Sequence, residues 1–490
     1  MIAENRMPPR SGVLALLGLF VLAAGVARAE HPGGPWAIPP AGTCEPAGGL
    51  KGWPIGVDAP PLPFKTGDSF ALEQLAVLEG YLPPEIWKQR ERFFYEGMRL
   101  EIGPCFADYS APPFFDEATT RFSGKARLRD NGGLEDYTAG LPFPPDTIDP
   151  TDPKAGLEWA WNVANRYQGA GFRGKFRVSD MVGRAGRAEP FEGEIFKIQL
   201  AHRADRAKGE YRAKGARDKA WVAGGKFFTP FAAREHAWRQ YRDLEHETKP
   251  ERSDDLHAYL PDHRRVRRIS ASDVEGLYMP SFSVGVVQAT TLAGLGGVGS
   301  VGSAASSLTT KRSGFEGLEI RPLLYAWKVL GVQDVLAPIN AASPVYPEQK
   351  EGDFGTWGLS FASDRWDLRR ALVLEGRALV NRGERDPTRM VLYVDLQTLA
   401  PLYYMSYDDR DETMDVGQYV GRWSEDRPDY PRWPDDPERP IRVIDSVAAA
   451  YANLSEGGGW RRESWDVVAT PPNDREVKKL LSVSNLTKGH

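Results

Sequence analysis

The sequence predicts a mainly β protein of the α+β class, organised around an antiparallel sheet. Two runs rich in Val and Leu, Arg370–Ala378 and Met390–Leu396, flank the turn-like segment Asn381–Glu384 and predict a long hairpin. Pro401–Tyr407 follows as a third predicted strand. No helical pattern separates these segments, and strands that follow one another through turns are expected to pair antiparallel.

Two helices are predicted ahead of this hairpin. Pro83 and Pro84 suit a first helical turn, and apolar residues after them recur at helical spacing. A second helix is predicted from Asp152, a good N-cap, with Pro153 in its first turn and Gly169 as its stop. Its apolar stripe consists of Leu157, Ala160, Trp161, Ala164 and Tyr167.

Shorter strands are predicted between Gly169 and the hairpin. Aromatic, basic and apolar residues alternate in part over Phe172–Val178, Phe191–Leu200 and Trp238–Leu244, which is typical of strands with one solvated face. The segment Asp426–Pro440 is rich in proline and acids and predicts a surface loop.

The first 29 residues have the pattern of a secretory signal sequence. Arg6 and Arg10 precede the apolar run Val13–Leu22, and Ala27 and Ala29 form a small-x-small cleavage site. The alternative, a membrane anchor, is disfavoured because the run is shorter than the roughly 20 residues that a spanning helix needs. We therefore expect cleavage near Ala29 and export to the periplasm.

The charge of the chain gives no reason to expect nucleic acid as a partner. The 490 residues carry a formal net charge of −5, and removal of residues 1–29 would take away three arginines and one glutamate, which leaves −7. Nucleic-acid-binding proteins present a basic surface instead.

Cys44 and Cys105 are the two cysteines of the chain. In an exported protein an even pair can form one disulfide, and we favour that pairing over two buried thiols. Closing a loop of roughly 60 residues would stabilise the fold by about 4 kcal/mol on the chain-entropy model.

The most unusual stretch runs from Tyr259 to Lys328, where a basic segment precedes a long run without charge. If Arg264–Arg268 is a strand, Arg264 and Val266 face one side and Arg265 and Arg267 the other. These arginines fit a charged edge strand or ion pairs with neighbouring acids. They also fit a ridge that docks an acidic partner or lipid head groups, with Arg264, Arg265 and Arg267 as candidates.

Motifs of catalysis and of cofactor binding give no support for an enzyme. Gly297–Gly302 matches G-x-G-x-x-G, but no apolar strand ending in an acid follows it, as a dinucleotide site requires. No histidine lies in H-E-x-x-H, and Ser300 is not in G-x-S-x-G. The acids Asp408–Glu412 fit a solvated turn better than a calcium loop. We therefore predict no catalytic residue, metal ligand or cofactor.

In combination, several segments resemble an exported bacterial family of unknown function that is named for outer-membrane lipoprotein sorting and is akin to the LolA and LolB lipoprotein carriers. The segments lie between about Pro83 and Ser424 and comprise Gly97-Met98, Asp108–Pro112, Tyr137–Pro144, Trp161-Asn162, Arg166-Tyr167, Tyr259–Pro261, Arg264–Arg268, Gly314–Leu318, Tyr325–Gly331 and Arg365–Arg370.

This resemblance implies a curved, incompletely closed antiparallel β-barrel with helices on its concave face and a cavity for an apolar ligand. It divides the chain into an N-terminal extension over 30–135 and a carrier-like barrel domain over 136–490. Candidates for lining the cavity are Trp161, Tyr167, Trp327 and Trp366. Ordinary core packing is an equally good interpretation of each of these residues.

The function that follows is a periplasmic carrier of a lipid or another hydrophobic ligand. The resemblance also implies, as a partner, an inner-membrane exporter of the resistance-nodulation-division class. The alternatives are an envelope scaffold with a solid core, which binds only other proteins, and a hydrolase of envelope lipids, which lacks a nucleophile motif.

The chain departs from the family pattern in an uncharged insert rich in Gly, Ala and Ser over 283–310. The insert has too many Gly, Ser and Thr residues for a membrane span. It could cap the barrel mouth, touch a membrane or form a disordered loop, and deletion of Gly285–Ser307 should alter ligand retention in the first two cases.

Overall fold

The computed structural model describes residues 36–44, 62–182, 190–206, 215–231, 233–261, 264–269, 276–279, 319–342, 355–380, 387–454, 459–469 and 471–487. The predicted signal sequence over 1–29, the glycine motif Gly297–Gly302 and the insert over 283–310 lie outside these residues. The three interpretations of the insert stay predictions.

Strands are the main regular secondary structure of the described chain. The strands are β1 Ser69–Phe70, β2 Leu100–Ile102, β3 Arg127–Leu128, β4 Leu134–Glu135, β5 Gly171–Val182, β6 Phe191–Gln199, β7 Lys219–Thr229, β8 Ala237–Asp243, β9 Asp255–Leu260, β10 Arg265–Ile269, β11 Tyr325–Ala337, β12 Arg365–Ala378, β13 Arg389–Asp395, β14 Pro401–Tyr407, β15 Thr413–Trp423, β16 Arg432–Trp433, β17 Asp436–Pro440, β18 Ile444–Asn453 and β19 Gly459–Ala469.

The helices are few and short. The α-helices are α1 Pro84–Lys88, α2 Arg90–Phe93, α3 Pro113–Phe122, α4 Ala155–Ala164 and α5 Asp474–Leu481. Single 3₁₀ segments occur at Leu72–Tyr81, Pro145–Thr147, Leu244–Glu247, Pro322–Leu324, Ser424–Asp426 and Val483–Thr487.

Fifteen strands form one curved sheet that does not close. Its order is β1-β2-β12-β13-β14-β15-β18-β19-β5-β6-β7-β8-β9-β10, with β11 paired to β12 as well. Neighbours are antiparallel except β2 and β12, which run parallel over two residues. In the described part of the chain β10 pairs with β9 alone, so β10 is an edge. The predicted fold class is confirmed.

The predicted hairpin is present and extends further than expected. β12 begins at Arg365, five residues before the predicted strand, and pairs antiparallel with β13. β14 has the predicted limits, Pro401–Tyr407, and pairs with β13. The alternation of apolar residues places Ala371 and Val373 in one hydrophobic cluster and Leu372 and Leu374 in another.

Each face of this hairpin is covered by a different part of the chain. The cluster with Ala371 and Val373 includes residues of the N-terminal segments, from Phe64 through α1 and α2 to Tyr109. The cluster with Leu372 and Leu374, on the other face, includes Trp159, Ala160 and Trp161 of α4. Strands covered on both sides need apolar or paired polar residues throughout.

Two buried ion pairs replace apolar contacts at the start of β12. Arg369 pairs with Asp395 of β13, with Nε–Oδ1 2.8 Å, and Arg370 pairs with Asp334 of β11, with Nε–Oδ1 2.9 Å. Arg370 also donates from Nη1 to the carbonyl of Ala37. These pairs satisfy charges that would otherwise be costly to bury.

Two predictions of local structure need correction. α4 begins at Ala155 and ends at Ala164, so Asp152 is not its N-cap and Tyr167 lies beyond the helix. The expected solvated face is absent from β8, all of whose residues are buried, because α5 and the chain after it cover its outer side. There Tyr241 donates a hydrogen bond from its hydroxyl to Leu481.

One helix, which follows Pro112, was not predicted from the sequence. A ten-residue helix, α3, begins at Pro113, a position that tolerates proline because the first helical N–H groups have no intrahelical partner. The two prolines therefore mark a helix start. Within Asp426–Pro440, the predicted surface loop is largely exposed but contains the short pair β16–β17 and the buried Trp433.

Cys44 and Cys105 are joined by a disulfide, the pairing that the sequence favours. It ties the segment 36–44 to the N-terminal part of the fold, where Gly42 also donates its N–H to the carbonyl of Cys105 at 2.8 Å. No helix in the described ranges is both long enough and apolar enough to span a bilayer.

Candidate functional site

A cavity of about 460 Å³ opens at one end of the sheet. Its walls come from the turn between β13 and β14, the start of β18, the end of β19, the start of β5, and α3 with the segment that follows it. Apolar residues from separate parts of the chain contribute to the lining, among them Trp36, Phe115, Phe172, Leu277, Leu396 and Val467.

α3 forms one wall because a tight contact fixes the chain beside it. Gly140 has φ +83°, and a Cβ at this position would lie 2.4 Å from the backbone nitrogen of Thr119. The next residue, Leu141, donates its N–H to the Thr119 hydroxyl at 2.8 Å. Only glycine fits a left-handed backbone at such a close approach. Leu141 and Pro144 are thereby held at the cavity wall.

Trp36 closes another side of the cavity. Its ring meets Trp159 of α4 edge-on at 5.1 Å between centroids, and its indole N–H donates to the carbonyl of Ile148 at 2.9 Å. Because its N–H has a hydrogen-bond acceptor, Trp36 can face the cavity with its apolar ring without leaving a buried donor unpaired.

The deep end of the cavity is polar. Arg166 and Glu319 are buried lining residues, and Arg166 donates from Nη1 to the carbonyl of Val163 at 2.9 Å. Glu319 forms a buried ion pair with Lys197 of β6. Burial alone would raise the pKa of Glu319, but Lys197 and Arg166 beside it lower that pKa below its usual value. The carboxylate therefore stays ionised.

The wall at the start of β18 contains a second buried carboxyl group, Asp445. Arg427 donates to it from Nη1 at 2.8 Å, and the hydroxyl of Tyr430 also hydrogen-bonds to it. Burial raises the pKa of Asp445 to about 7, although Tyr430 and Arg427 oppose that shift. Asp445 therefore changes charge near neutral pH.

The mouth is polar and exposed, with Asp116, Thr120 and Ser123 of and after α3 and Asp146 opposite them. Within the described residues no group of His, Cys, Asp and Glu could hold a metal ion. The arrangement is an apolar middle between a polar mouth and a polar deep end, which suits a ligand with a long apolar part.

The chain matches the model of one protein family over more than half of its length. Residues 80–279 and 302–435 match DUF1329, a family described as proteins of unknown function. The chain belongs to the DUF1329 family. The family predicted from the sequence is thus confirmed.

Three solved structures are similar to this DUF1329 protein at low sequence identity. One is a DUF1329 family protein from Desulfovibrio piger, 15% identical, with 69% of this chain and 100% of that chain covered and a TM-score of 0.40. A proposed outer-membrane lipoprotein-sorting domain from Vibrio parahaemolyticus is 14% identical over 69% and 100%, with a TM-score of 0.38.

A LolA superfamily protein from Nitrosomonas europaea is 12% identical, with 66% of this chain and 96% of that chain covered and a TM-score of 0.30. No curated protein matches the chain.

Of the four aromatic residues predicted to line a cavity in this DUF1329 protein, Tyr167 does so. Trp161, Trp327 and Trp366 do not line it and lie in the hydrophobic clusters on the two faces of the sheet. Their indole N–H groups donate to backbone carbonyls, as when Trp161 donates to Gly132 at 3.0 Å and Trp327 to Pro322 at 2.8 Å. Core packing describes these three residues.

Arg265 and Arg267 lie on the edge strand β10 and are exposed, on the opposite face from Val266, as alternation predicts. Arg264 precedes the strand in a turn with φ +50°, so strand alternation does not apply to it. Arg268 pairs with Asp255 of β9.

Sequence reasoning missed Trp36, Arg166 and Asp445 as cavity residues. Arg166 stands beside Tyr167 in one of the segments that carry the family resemblance, and a charged residue ending an apolar helix could have drawn attention to it. Trp36 and Asp445 reach the cavity only through tertiary contacts, for which a single sequence has no signal.

Proposed function

We propose that this DUF1329 protein is a periplasmic carrier that shelters a lipid or another hydrophobic ligand in the cavity beside α3. The observation that carries the proposal is the apolar part of the cavity lining, formed by buried residues such as Trp36, Leu277 and Val467. Its volume, about 460 Å³, falls in the range of roughly 300–1,000 Å³ for small-molecule sites.

Exposing a hydrophobic ligand to water costs much free energy. A chain of about sixteen carbons left in water would cost on the order of 12 kcal/mol at roughly 0.8 kcal/mol per CH₂, so its passage through an aqueous compartment requires a covered interior. A polar head group of the ligand at the exposed cavity mouth would stay hydrated.

A periplasmic location is supported by two features. The predicted signal sequence would direct export, and the Cys44–Cys105 disulfide suits an oxidising compartment. Whether an exporter of the resistance-nodulation-division class takes up or supplies the ligand stays an expectation of the family resemblance, to be tested by co-purification from membranes.

Binding of a fluorescent fatty acid, with native mass spectrometry of gently purified protein, tests the proposal. Thr120→Trp would place a bulky side chain at the mouth, on an exposed position of α3. If it removes room for about two CH₂ groups, affinity for the probe should fall on the order of tenfold. Glu117→Trp is the matched control, since Glu117 is exposed on the same helix and does not line the cavity.

The carrier proposal fails if no lipid co-purifies and the probe does not bind. It also fails if Thr120→Trp and Glu117→Trp behave alike. Either result would favour the scaffold alternative, in which partner proteins should still co-purify after delipidation.

A further inference from the structure

Two phenylalanines are exposed to solvent at one end of the sheet. Phe231 is 90% exposed and lies in the β7–β8 turn, and Phe228 is 42% exposed and lies near the end of β7. A phenylalanine with nine-tenths of its surface in water buries almost no apolar area and so does not stabilise the fold through its ring. Such a residue at a turn tip points to an apolar environment that the isolated chain does not provide.

The register of the sheet brings a basic segment to the same end. Ala237 of β8 pairs with Tyr259 of β9, and Leu260 of β9 pairs with Arg265 of β10. The β7–β8 turn and the β9–β10 turn therefore project from the same end of the sheet. Phe228 and Arg265 are three strands apart, which corresponds to roughly 14 Å at about 4.8 Å per strand.

Four exposed arginines lie in the β7–β8 turn, in the β9–β10 turn and on β10. We call the set the β7–β10 corner, and its members are Phe228, Phe231, Arg234, Arg264, Arg265 and Arg267. Beside it, Lys226 pairs with Glu235 at 2.7 Å, so these two side chains add little net charge. The corner therefore combines apolar tips with a positive surface.

We propose that the β7–β10 corner docks onto an anionic lipid bilayer. Phe228 and Phe231 would enter the boundary between head groups and acyl chains, where aromatic side chains are stabilised. The arginines would bind lipid phosphate groups around the two phenylalanines. Each arginine would add electrostatic attraction while its guanidinium group stays in the polar head-group layer. The cavity opens at the opposite end of the sheet, so docking leaves its mouth free; the inference does not depend on what the cavity binds.

A charged edge strand that discourages aggregation would account for Arg265 and Arg267 but not for Phe231. Among the described residues near the other apolar tip at this end of the sheet, Arg377 pairs with Glu375 and Arg389 with Asp411. Leu379 and Val380, in the β12–β13 turn, are 62% and 67% exposed and lie beside the acidic β14–β15 turn with Asp408–Glu412. That tip serves as a control because anionic lipids should not attract it.

Vesicle co-sedimentation with the purified protein tests the proposal, using phosphatidylcholine vesicles with and without phosphatidylglycerol. Binding should require phosphatidylglycerol and weaken with salt. Phe231→Ser should lower the partition coefficient about tenfold through loss of one buried aromatic ring. Arg265→Gln combined with Arg267→Gln should lower it about twentyfold, from the attraction of two arginines. Val380→Ser should leave it unchanged.

Each variant is checked for an unchanged thermal transition, which is expected because all these side chains are exposed. The proposal is overturned if the protein does not bind vesicles, or binds both compositions equally. It is also overturned if Phe231→Ser binds as well as the parent, or if Val380→Ser weakens binding as much as Phe231→Ser does. Capture of a protein partner by the corner without vesicle binding would assign it to protein docking instead.

Discussion

Asp445 is a cavity residue whose ionisation changes near neutral pH. Its carboxyl group has a folded-state pKa of about 7, against an ordinary value of 3.8, because the group is fully buried. The folded protein therefore binds a proton between about pH 4 and pH 7 that the unfolded chain has released. Stability falls as pH rises through this window, by on the order of 4 kcal/mol in total.

The prediction is that Asp445→Asn removes this dependence. The asparagine does not titrate, so the free energy of unfolding of the variant relative to the parent should rise from about pH 4 to about pH 7 and stay constant above that. Chemical denaturation at a series of pH values measures it. Asp130→Asn, at an exposed position, is the control and should give a constant difference. A constant difference for Asp445→Asn as well would contradict the buried-acid interpretation.

Individual side chains were the least predictable part of the site. Trp161, Trp327 and Trp366 share composition and family context with Tyr167, yet only Tyr167 lines the cavity. The sequence predicts Trp161 and Tyr167 on one apolar helical stripe. The helix ends at Ala164, so Tyr167 lies outside it and does not share a helix face with Trp161. The apolar pattern identifies residues that leave water and does not distinguish a packed core from a cavity wall.

At the level of elements, α3 depends on its contact with Gly140. A Cβ at Gly140 would meet the backbone of Thr119 at 2.4 Å, and the residue also has a positive φ. We predict that Gly140→Ala lowers the free energy of unfolding by more than about 2 kcal/mol. Backbone strain supplies roughly 1–2 kcal/mol and displacement of α3 adds to it. Binding of the fatty-acid probe should weaken as the wall shifts.

Gly124→Ala is the matched control for this prediction. Gly124 has φ +71° near the end of α3, but a Cβ there would meet nothing within 4 Å. It should show the strain alone, about 1 kcal/mol, and leave probe binding intact. If Gly140→Ala is no more destabilising than Gly124→Ala, the close contact does not hold α3 in place.

The strands were predicted more accurately than the helices, for a physical reason. β14 has its expected limits because Pro401 and the turn after Tyr407 bound a run of apolar and aromatic residues. The start of α4 was misplaced because Asp152 caps a turn before the helix, accepting the N–H of Lys154 at 2.8 Å. The same side-chain chemistry serves a turn and an N-cap, so the pattern alone does not separate them.

On the scale of the whole molecule, the segment 36–44 connects the cavity with the opposite side of the sheet. Trp36 forms part of the cavity wall, the carbonyl of Ala37 accepts from Arg370, and Cys44 is joined to Cys105. Cys105 belongs to the cluster that packs on the face away from α4. One short segment thus links both layers, and the disulfide fixes its far end.

Replacing both cysteines, Cys44→Ser and Cys105→Ser, should therefore weaken the fold and the cavity together. The two residues are 61 positions apart, and loss of the closed loop should lower the free energy of unfolding by up to about 4 kcal/mol on the chain-entropy model. Probe binding should also weaken, because the segment that carries Trp36 is no longer fixed at Cys44. Urea denaturation with and without reductant makes the test: reductant should destabilise the parent and leave the double variant unchanged. A double variant that keeps the stability of the oxidised parent would mean that Arg370 and Trp36 hold the segment without the disulfide.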